Sequence, residues 1–366
     1  MAVLTGVVVA GAGARGAYEA GALSVLLPEL ERQEPDQRFV VVGTSAGAIN
    51  AAVLASTESP KEGADALTEF WDDFQVDDVI GNLAATGAGD ALKYLFEVVC
   101  HWSRLDSLLD STPLRKTLAD RIQWDAVDRN VGRGWIDRVG IVCTCCDNGR
   151  TTVFTKGAPP TPADNLRGID YVPVTLGPEH VSASTALPIV FRPAPIEGPG
   201  GGRRWYVDGG VNLNAPIKPA IDLGADRVAV VATNPDPDRP QSAPFGRGEP
   251  DVFDIGGAVV RSLLVDNMSE DVRTLRKVNR LVVAAGAAQP RPAGAATSRQ
   301  YTEIPSLYIG PPGPDDISRL ANRVYGDRYD SVLKLTTKLG LLGRVIGGSA
   351  DSHGDLMSFL FVDKLF

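Results

Sequence analysis

The sequence has little of the histidine and cysteine from which most metal and redox centres are built. Its 366 residues include three histidines and four cysteines, and the histidines are scattered along the chain. Residues 141–146 hold three of the cysteines, at a spacing that fits no common zinc pattern. We interpret this run as a strand whose cysteines are small, buried, apolar side chains. No metal ion and no cofactor is therefore expected.

Positive charge is also scarce. The formal net charge is -9, so the chain lacks the basic surface that a nucleic-acid-binding protein needs. An acidic surface also matches anionic lipid headgroups poorly, and this restricts the expected membrane contact to a transient one.

No apolar run has the length of a transmembrane helix. Residues 1–10 are apolar, but they carry no basic residue, and Gly11 and Gly13 interrupt the run. We interpret residues 3–10 as the first buried strand rather than as part of a signal peptide. The expectation is a soluble, cytoplasmic protein.

Strand and helix patterns alternate along the first part of the chain, which predicts parallel strands joined by crossover helices. A polar turn at residues 147–150 predicts that the strands on either side of it form a hairpin. The predicted strands are 3–10, 39–42, 138–146, 151–155, 204–208 and 227–233, and the predicted helices are 17–27 and 46–55.

We expect a core formed by residues 1–235, with an inserted, irregular helical segment near 61–125 that could cover the functional site. Residues 236–366 are expected to form a C-terminal region of helix and loop packed on the core, with helical spacing at 254–283. The apolar end of this region is a candidate core, oligomer or lipid contact, and a core or subunit contact is favoured. Loops rich in proline and glycine are predicted at 193–202, 234–250 and 285–300.

The most informative motif is Gly43-Thr44-Ser45-Ala46-Gly47, which directly follows an apolar strand and precedes a helix. This context is typical of a nucleophile elbow, a tight turn that presents a serine. Gly43 and Gly47 would remove side chains that clash in the turn. Ser45 would stand at its tip with an exposed hydroxyl and a helix N-terminus behind it, where negative charge is stabilised.

A glycine-rich loop joins the first strand to the first helix. Its pattern is formally that of a dinucleotide-binding fingerprint, but the second strand ends without the acidic residue that this function needs. Small residues at a helix N-terminus also suit an oxyanion hole, because their backbone N–H groups can bind negative charge. Arg15 could brace the loop or meet an anion, or it could form a surface salt bridge. The candidate oxyanion-hole residues are Gly11, Ala12, Gly13, Ala14, Arg15 and Gly16.

A third motif is Asp208-Gly209-Gly210, at the end of a predicted strand. Asp-Gly alone usually marks a turn. Here the aspartate gains weight because Ser45 needs a base and no histidine lies in a comparable strand-end motif.

These three motifs together resemble the patatin-like phospholipase family. Residues 11–16 are similar to its oxyanion loop, residues 43–47 to its serine elbow and residues 208–210 to its Asp-Gly-Gly motif. Residues 144–154, 182–191 and 209–216 resemble further blocks of the family, and the resemblance covers roughly residues 3–235. It implies a three-layer α/β/α fold with a mostly parallel central sheet and an inserted, lid-like helical segment.

The resemblance also implies chemistry. Such proteins use a Ser-Asp dyad, so Ser45 would attack an ester carbonyl and Asp208 would accept its proton. The implied substrate is a phospholipid or another fatty-acyl ester, cleaved in the manner of a phospholipase A or lysophospholipase. The family loop usually has three consecutive glycines, where this chain has Ala12 and Ala14. The oxyanion hole would be altered if either alanine had to adopt a positive φ.

Two other functions stay open. One is an α/β-hydrolase with a Ser-Asp-His triad, in which His353 would supply the histidine. That fold usually places its elbow after several strands, whereas Ser45 follows only the second predicted strand. The other is a lipid-binding or regulatory protein that keeps the fold without catalysis.

Overall fold

The computed structural model describes residues 3–74, 78–79, 112–188, 191–197, 202–239, 267–284, 302–313, 316–317, 319–320 and 323. The strands are β1 (Leu4–Val9), β2 (Arg38–Thr44), β3 (Ile136–Cys145), β4 (Thr151–Lys156), β5 (Ile169–Pro173), β6 (Ala194–Glu197), β7 (Arg203–Asp208), β8 (Arg227–Val231) and β9 (Ser306–Ile309). The helices are α1 (Gly16–Gln33), α2 (Ala46–Ala55), α3 (Pro60–Asp72), α4 (Thr112–Arg121), α5 (Trp124–Asn130), α6 (Pro178–Ser184), α7 (Ile217–Asp222) and α8 (Asn267–Ala284). Two short 3-10 turns lie at Gly13–Arg15 and Gly209–Val211.

The strands form one mostly parallel sheet with the order β5-β4-β3-β2-β1-β8-β9. Neighbouring strands from β3 to β9 along this order are all parallel. β4 runs antiparallel to β3 and pairs in parallel with β5. The β6–β7 hairpin joins the sheet through the antiparallel pairing of β7 with β3. The predicted mostly parallel central sheet flanked by helices is thus confirmed.

The central strands are apolar on both faces, as parallel strands covered by helices are. Side chains alternate along β1, so Val7 and Val9 pack with residues of α1, α2 and α3, while Val8 packs on the opposite face with residues of α7. These two apolar clusters form the core, one on each face of the sheet, and pack the helices against it.

Several predicted elements are found with small changes at their ends. Helix α2 has the predicted bounds, and β3 and β4 form the predicted antiparallel hairpin. Helix α1 continues past residue 27, the predicted end, to Gln33. It does so because Leu30 still packs against the core.

Other elements differ from the prediction. Residues 194–197, predicted as part of a loop, form β6 and pair with β7. Pro195 is compatible with a strand here because β6 pairs with no other described strand, so its missing N–H faces no partner. The short strands β5 and β9 and the helix α6 were also not predicted. Through β9, the C-terminal region adds a strand to the sheet beside β8.

Parts of the predicted organisation lie outside the described residues. Of the inserted segment 61–125, the structure describes mainly α3, α4 and the start of α5. Residues 254–266 and 285–300 and the apolar C-terminal end are not among the described residues. No helix within the described ranges is both long enough and apolar enough to span a membrane.

Candidate active site

Ser45 lies in a sharp turn between β2 and α2 and has a strained backbone. Its φ is 54° and its ψ is -123°, and no other non-glycine residue in the described part of the chain has a positive φ. Such a conformation costs about 1–3 kcal/mol and persists only where the surroundings hold it. A Cβ atom at Gly43 would lie 2.1 Å from the carbonyl oxygen of Gly47, and one at Gly47 would lie 2.3 Å from that of Val9. Both positions flanking the turn therefore have no room for a side chain.

Ser45 is largely enclosed by its surroundings. Only 5% of the surface of the whole residue is exposed, and the exposure of its hydroxyl stays a prediction. The reason for the enclosure is the close approach of other segments. A Cβ built on Gly11 would lie within van der Waals distance of the Ser45 Cβ. The Ser184 hydroxyl accepts the Ser45 N–H, and the Asp208 carboxylate lies beside the Ser45 side chain.

Asp208 meets Ser45 because two strands follow one another along the same edge of β3. The last residue of β2, Thr44, pairs with Val142. The next residue of β3, Cys143, pairs with Asp208, which is the last residue of β7. β7 thus continues the line of β2 beyond its carboxyl end, and the two strands end at one point. The sheet therefore brings together two residues that are far apart in the sequence.

The carboxylate of Asp208 is almost completely buried, with 1% of the residue exposed. Burial raises its pKa to about 6, and hydrogen bonds from the Ser45 side chain and the Gly210 backbone act in the opposite direction. The Gly210 N–H lies 2.7 Å from Oδ1. A Cβ at Gly209 would lie 2.4 Å from the carbonyl oxygen of Val142. The glycines after Asp208 thus allow the chain to turn tightly against β3 and to hydrogen-bond the carboxylate.

The glycine-rich loop lies against the elbow at both of its ends. A Cβ at Gly11 would lie 3.4 Å from the Cβ of Ser45, and a Cβ at Gly16 would lie 2.7 Å from that of Ala46. The chain between these two contacts includes the whole 3-10 turn that leads into α1. The loop therefore adjoins Ser45, on the side of α2 where the helix begins.

The backbone donors of this loop fall into two groups. The N–H of Gly11 donates to the carbonyl of Asn214 at 3.1 Å, so it is already engaged. The N–H groups of Ala12, Gly13 and Ala14 have no acceptor among the described residues. Unpaired donors at the start of a helical turn are suited to an anion. These three N–H groups are the candidates for an oxyanion hole, while Gly11 anchors the loop.

The two alanines of the loop do not require strained backbone. Ala12 has a φ of -138°, and Ala14 is not among the residues with positive φ. The positive φ in this loop falls on Gly13, at 55°, where glycine is present. The substitution of alanine for glycine at positions 12 and 14 therefore leaves the backbone conformation accessible.

Arg15 is buried, with 3% of its surface exposed, so a surface salt bridge is the wrong interpretation of this residue. The loop around it is braced by a buried amide. Asn50 of α2 donates from Nδ2 to the carbonyl oxygen of Gly16 at 3.2 Å. Its Oδ1 accepts a hydrogen bond from the indole of Trp71 at 2.7 Å. These bonds tie the loop, the elbow helix and α3 to one another.

Sequence reasoning missed two residues that hold the site. Ser184 accepts a hydrogen bond from the Ser45 N–H at 2.9 Å. Asn214 pairs with Gly11 in both directions, since its carbonyl accepts the Gly11 N–H and its Nδ2 donates to the Gly11 carbonyl at 3.2 Å. Both residues lie within blocks that resemble the family, and that membership was the available signal. Neither block by itself indicates which residue the side chain of Ser184 or Asn214 contacts.

The cysteines and histidines are placed as follows. Cys143 and Cys145 are buried, in agreement with their interpretation as apolar side chains. Cys146 is exposed, so the same interpretation is wrong there, because β3 ends one residue earlier. His180 is buried on α6, and its Nδ1 accepts the Gly177 N–H at 3.1 Å. The candidate triad residue His353 lies outside the described residues.

Comparison with known proteins identifies the family. Residues 7–221 match the family model described as patatin-like phospholipase. Because this match spans more than half of the 366 residues, the chain belongs to the patatin-like phospholipase family. Among solved structures, VipD from Legionella pneumophila aligns at 15% identity and a TM-score of 0.34, over 84% of this chain and 61% of the VipD chain. A search of curated proteins gave no match.

Proposed function

We propose that this patatin-like protein is a serine lipid acyl hydrolase that uses Ser45 as nucleophile and Asp208 as base. Membership of the family supports lipid acyl hydrolysis as the class of reaction. The observation that carries the proposal is the placement of the Ser45 side chain beside the buried Asp208 carboxylate, at the point where β2 and β7 end against β3. Ser45 also adjoins the loop in which Ala12, Gly13 and Ala14 offer N–H groups without acceptors among the described residues.

In the acylation step, Asp208 accepts the hydroxyl proton of Ser45 while Oγ bonds to the ester carbonyl carbon. The carbonyl π electrons move to oxygen, and the N–H groups of Ala12, Gly13 and Ala14 stabilise the resulting negative charge. Loss of one such donor typically costs about 2.7–4 kcal/mol of transition-state stabilisation. When the intermediate collapses, the ester C–O bond breaks and Asp208 returns the proton to the departing alcohol. The acyl group stays on Ser45.

Deacylation repeats the sequence with water. Asp208 removes a proton from the water as its oxygen attacks the acyl carbon. The same loop binds the second oxyanion, and the proton returns to Oγ as the fatty acid leaves. An alcohol in place of water would give acyl transfer by the same steps.

The environment of Asp208 makes a carboxylate an adequate base. An ordinary aspartate is weakly basic near neutral pH, whereas burial raises the pKa of Asp208 to about 6. Base catalysis is most effective when the pKa lies close to the working pH. The hydrogen bond from the Gly210 N–H fixes one carboxylate oxygen, which leaves the other oriented towards its partner.

The proposed substrates are phospholipids or other fatty-acyl esters, cleaved as by a phospholipase A or lysophospholipase. Membrane contact is proposed to be transient, since the net charge of -9 opposes strong binding to anionic lipid. The segment 61–125 is the proposed lid and acyl-binding wall. Deletion of residues 81–89 should weaken the preference for long acyl chains, and an unchanged preference would contradict this assignment.

The test is intact-mass labelling with a long-chain fluorophosphonate, which reacts with activated serines. Wild-type protein should be labelled once per chain, and Ser45→Ala and Asp208→Ala should both abolish labelling and ester hydrolysis. Ser56→Ala is the matched control, because Ser56 directly follows the last residue of α2 and its hydroxyl donates to the carbonyl of Val53 within that helix. It should behave as wild type.

Three results would contradict the proposal. Full activity in Asp208→Ala would exclude the dyad. Loss of activity in His353→Ala, with Asp208 dispensable, would favour the Ser-Asp-His triad. A folded wild-type protein that is not labelled and does not hydrolyse esters would favour a lipid-binding or regulatory role.

A further inference from the structure

The strained backbone of Ser45 needs a partner that holds it. Its N–H donates to the hydroxyl oxygen of Ser184 at 2.9 Å. The same hydroxyl donates its hydrogen to the carbonyl oxygen of Val142 at 2.6 Å. Ser184 has no exposed surface. A buried side chain thus connects the elbow to β3, the strand that also pairs with Asp208.

The direction of these bonds is fixed by the chemistry of a hydroxyl. A serine has one hydrogen to donate, and Val142 accepts it. A lone pair of Ser184 Oγ is therefore the acceptor for the Ser45 N–H. The thiol of Cys143 lies against the same hydroxyl, which further encloses it. Ser184 is consequently held in one orientation.

The segment that carries Ser184 also touches the other half of the dyad. Its side chain binds the Ser45 backbone, and two residues later the carbonyl of Ala186 accepts the Asp208 N–H at 2.9 Å. Both Ser45 and Asp208 are thus hydrogen-bonded through their backbones to residues 184–186, where α6 ends and the following loop begins. The separation between Oγ of Ser45 and the carboxylate depends on this short segment.

We propose that Ser184 is a positioning residue for the nucleophile: its hydroxyl holds Ser45 in the strained conformation that directs Oγ towards Asp208. This inference rests on the proposed function. Ser184 contacts the backbone of Ser45 and takes no part in bond making. Without its hydroxyl, the Ser45 N–H and the Val142 carbonyl lose a buried partner, and Ser45 can relax towards negative φ.

The consequence is a slower reaction of Ser45 with no change in substrate binding. In Ser184→Ala, phosphonate labelling and kcat should both fall by about tenfold or more, because small displacements of a reacting atom have effects of this size or larger. KM should stay within about twofold, since the acyl-binding surface is untouched. Ester substrates that differ in leaving group should be affected alike.

Thr185→Val provides the matched control. Thr185 directly follows the last residue of α6, it is also buried, and its hydroxyl donates to the carbonyls of Val181 and Ser182 in that helix. This variant also removes a buried hydroxyl at the end of α6, but it leaves the bond to Ser45 in place. It should lose stability without a change in labelling rate per folded molecule.

Amide hydrogen exchange gives a readout that does not depend on activity. The exchange of peptides containing Ser45 should speed up in Ser184→Ala and stay as in wild type in Thr185→Val. If Ser184→Ala does not fold, Ser184→Cys in reducing buffer keeps the size of the side chain with a weaker acceptor. Ser184→Cys should also show faster exchange at Ser45 and slower labelling, but both changes should be smaller than in Ser184→Ala.

The outcomes separate this proposal from the proposed function. Faster local exchange together with slower labelling, in a wild-type background that labels, supports positioning by Ser184. Wild-type labelling rate and wild-type exchange in a folded Ser184 variant would overturn it while leaving the dyad intact. If the wild-type protein neither labels nor hydrolyses esters, the proposed function fails, and the positioning role fails with it even where the hydrogen bond is seen in exchange.

Discussion

The two ends of the central sheet use charged and polar side chains in opposite ways. At the carboxyl ends of β2 and β7, Ser45 and Asp208 are buried beside neutral donors. At the amino ends of β1, β2 and β8, charges meet each other near solvent. Arg227 pairs there with Glu34 at 2.5 Å, with the two side chains 33% and 49% exposed.

The difference appears in the ionisation of the carboxylates. The ion pair with Arg227 lowers the pKa of Glu34, whereas burial raises the pKa of Asp208 to about 6. Opposite charge favours the ionised form, and loss of water disfavours it. At the amino ends of the strands, the carboxylate of Glu34 lies where water and an opposite charge favour its ionised form. The other end keeps a carboxylate that is costly to ionise, and strained backbone beside it, in a combination typical of functional sites.

The largest effect on stability is expected at Gly43, where the backbone of the elbow leaves the least room for a side chain. In Gly43→Ala the new Cβ would meet the carbonyl group of Gly47, which cannot move without the helix. We expect a loss of about 3 kcal/mol or more in the free energy of unfolding, measured by urea denaturation. Gly21→Ala is the control, because a Cβ at that exposed helical position meets nothing within 4 Å. It should stabilise the protein by about 0.5–1 kcal/mol, and equal effects at the two sites would contradict the tight elbow.

The next effect concerns the buried charge. A raised pKa means that the folded protein binds the Asp208 proton more tightly than the unfolded chain. The resulting stability is present at pH below 3.8 and is lost as the pH rises through about 6. Asp208→Asn cannot ionise and therefore does not lose stability as the pH rises. Its free energy of unfolding should exceed that of wild type by about 3 kcal/mol at pH 8 and be close to it near pH 4. Hydrolysis should be abolished.

Asp170→Asn is the comparison for that experiment. Asp170 pairs with Arg150 at 2.7 Å in a partly exposed position, and its loss should lower the free energy of unfolding by less than about 1 kcal/mol. Chemical denaturation of both variants at pH 4, 6 and 8 checks the prediction. A stability gain in Asp208→Asn that does not depend on pH would show that charge burial is not its cause.

The same ionisation should govern the rate of reaction. Asp208 accepts a proton only when it is ionised, so kcat/KM should fall about tenfold per pH unit below the apparent pKa near 6 and level off above it. The measurement is a pH profile with a neutral ester substrate, whose own charge is constant. A plateau that extends down to pH 4 would mean that another group supplies the base.

The smallest effect is expected at the amino end of the sheet. Glu34→Gln breaks the exposed pair with Arg227 and should change the free energy of unfolding by less than about 1 kcal/mol. The difference should shrink further in high salt, because exposed charges are screened. Ester hydrolysis should be unchanged. A large loss of activity would show that the two ends of the sheet are coupled.

The parts of the site that could be predicted are those encoded by neighbouring residues. Strand β2, the turn at Ser45 and helix α2 follow one another without interruption, so composition and spacing were enough to predict them. The glycine-rich loop could be predicted for the same reason, because it is one continuous run of residues between β1 and α1. Family resemblance then associated Asp208 with Ser45, although nothing in the spacing of the two residues implies that they meet.

The parts that could not be predicted depend on contacts between distant segments. The bond from Ser45 to Ser184 spans 139 residues, and that from Asn214 to Gly11 spans 203. Strands β6 and β9 have four residues each, which is too short for a reliable alternating pattern. The backbone angles of Ala12 could not be predicted from the sequence either, since alanine is compatible with many conformations.

The long separation between Gly11 and its anchor at Asn214 also bears on how the protein is made. A chain leaving the ribosome carries the serine elbow long before Ser184, Asp208 and Asn214 have been synthesised. Under the proposed mechanism, the nascent chain has a nucleophile without a base, without a brace and with an unanchored loop. We therefore expect truncated products that end before Asn214 to be inactive towards lipids, so that activity would appear only once the chain has been made past that residue.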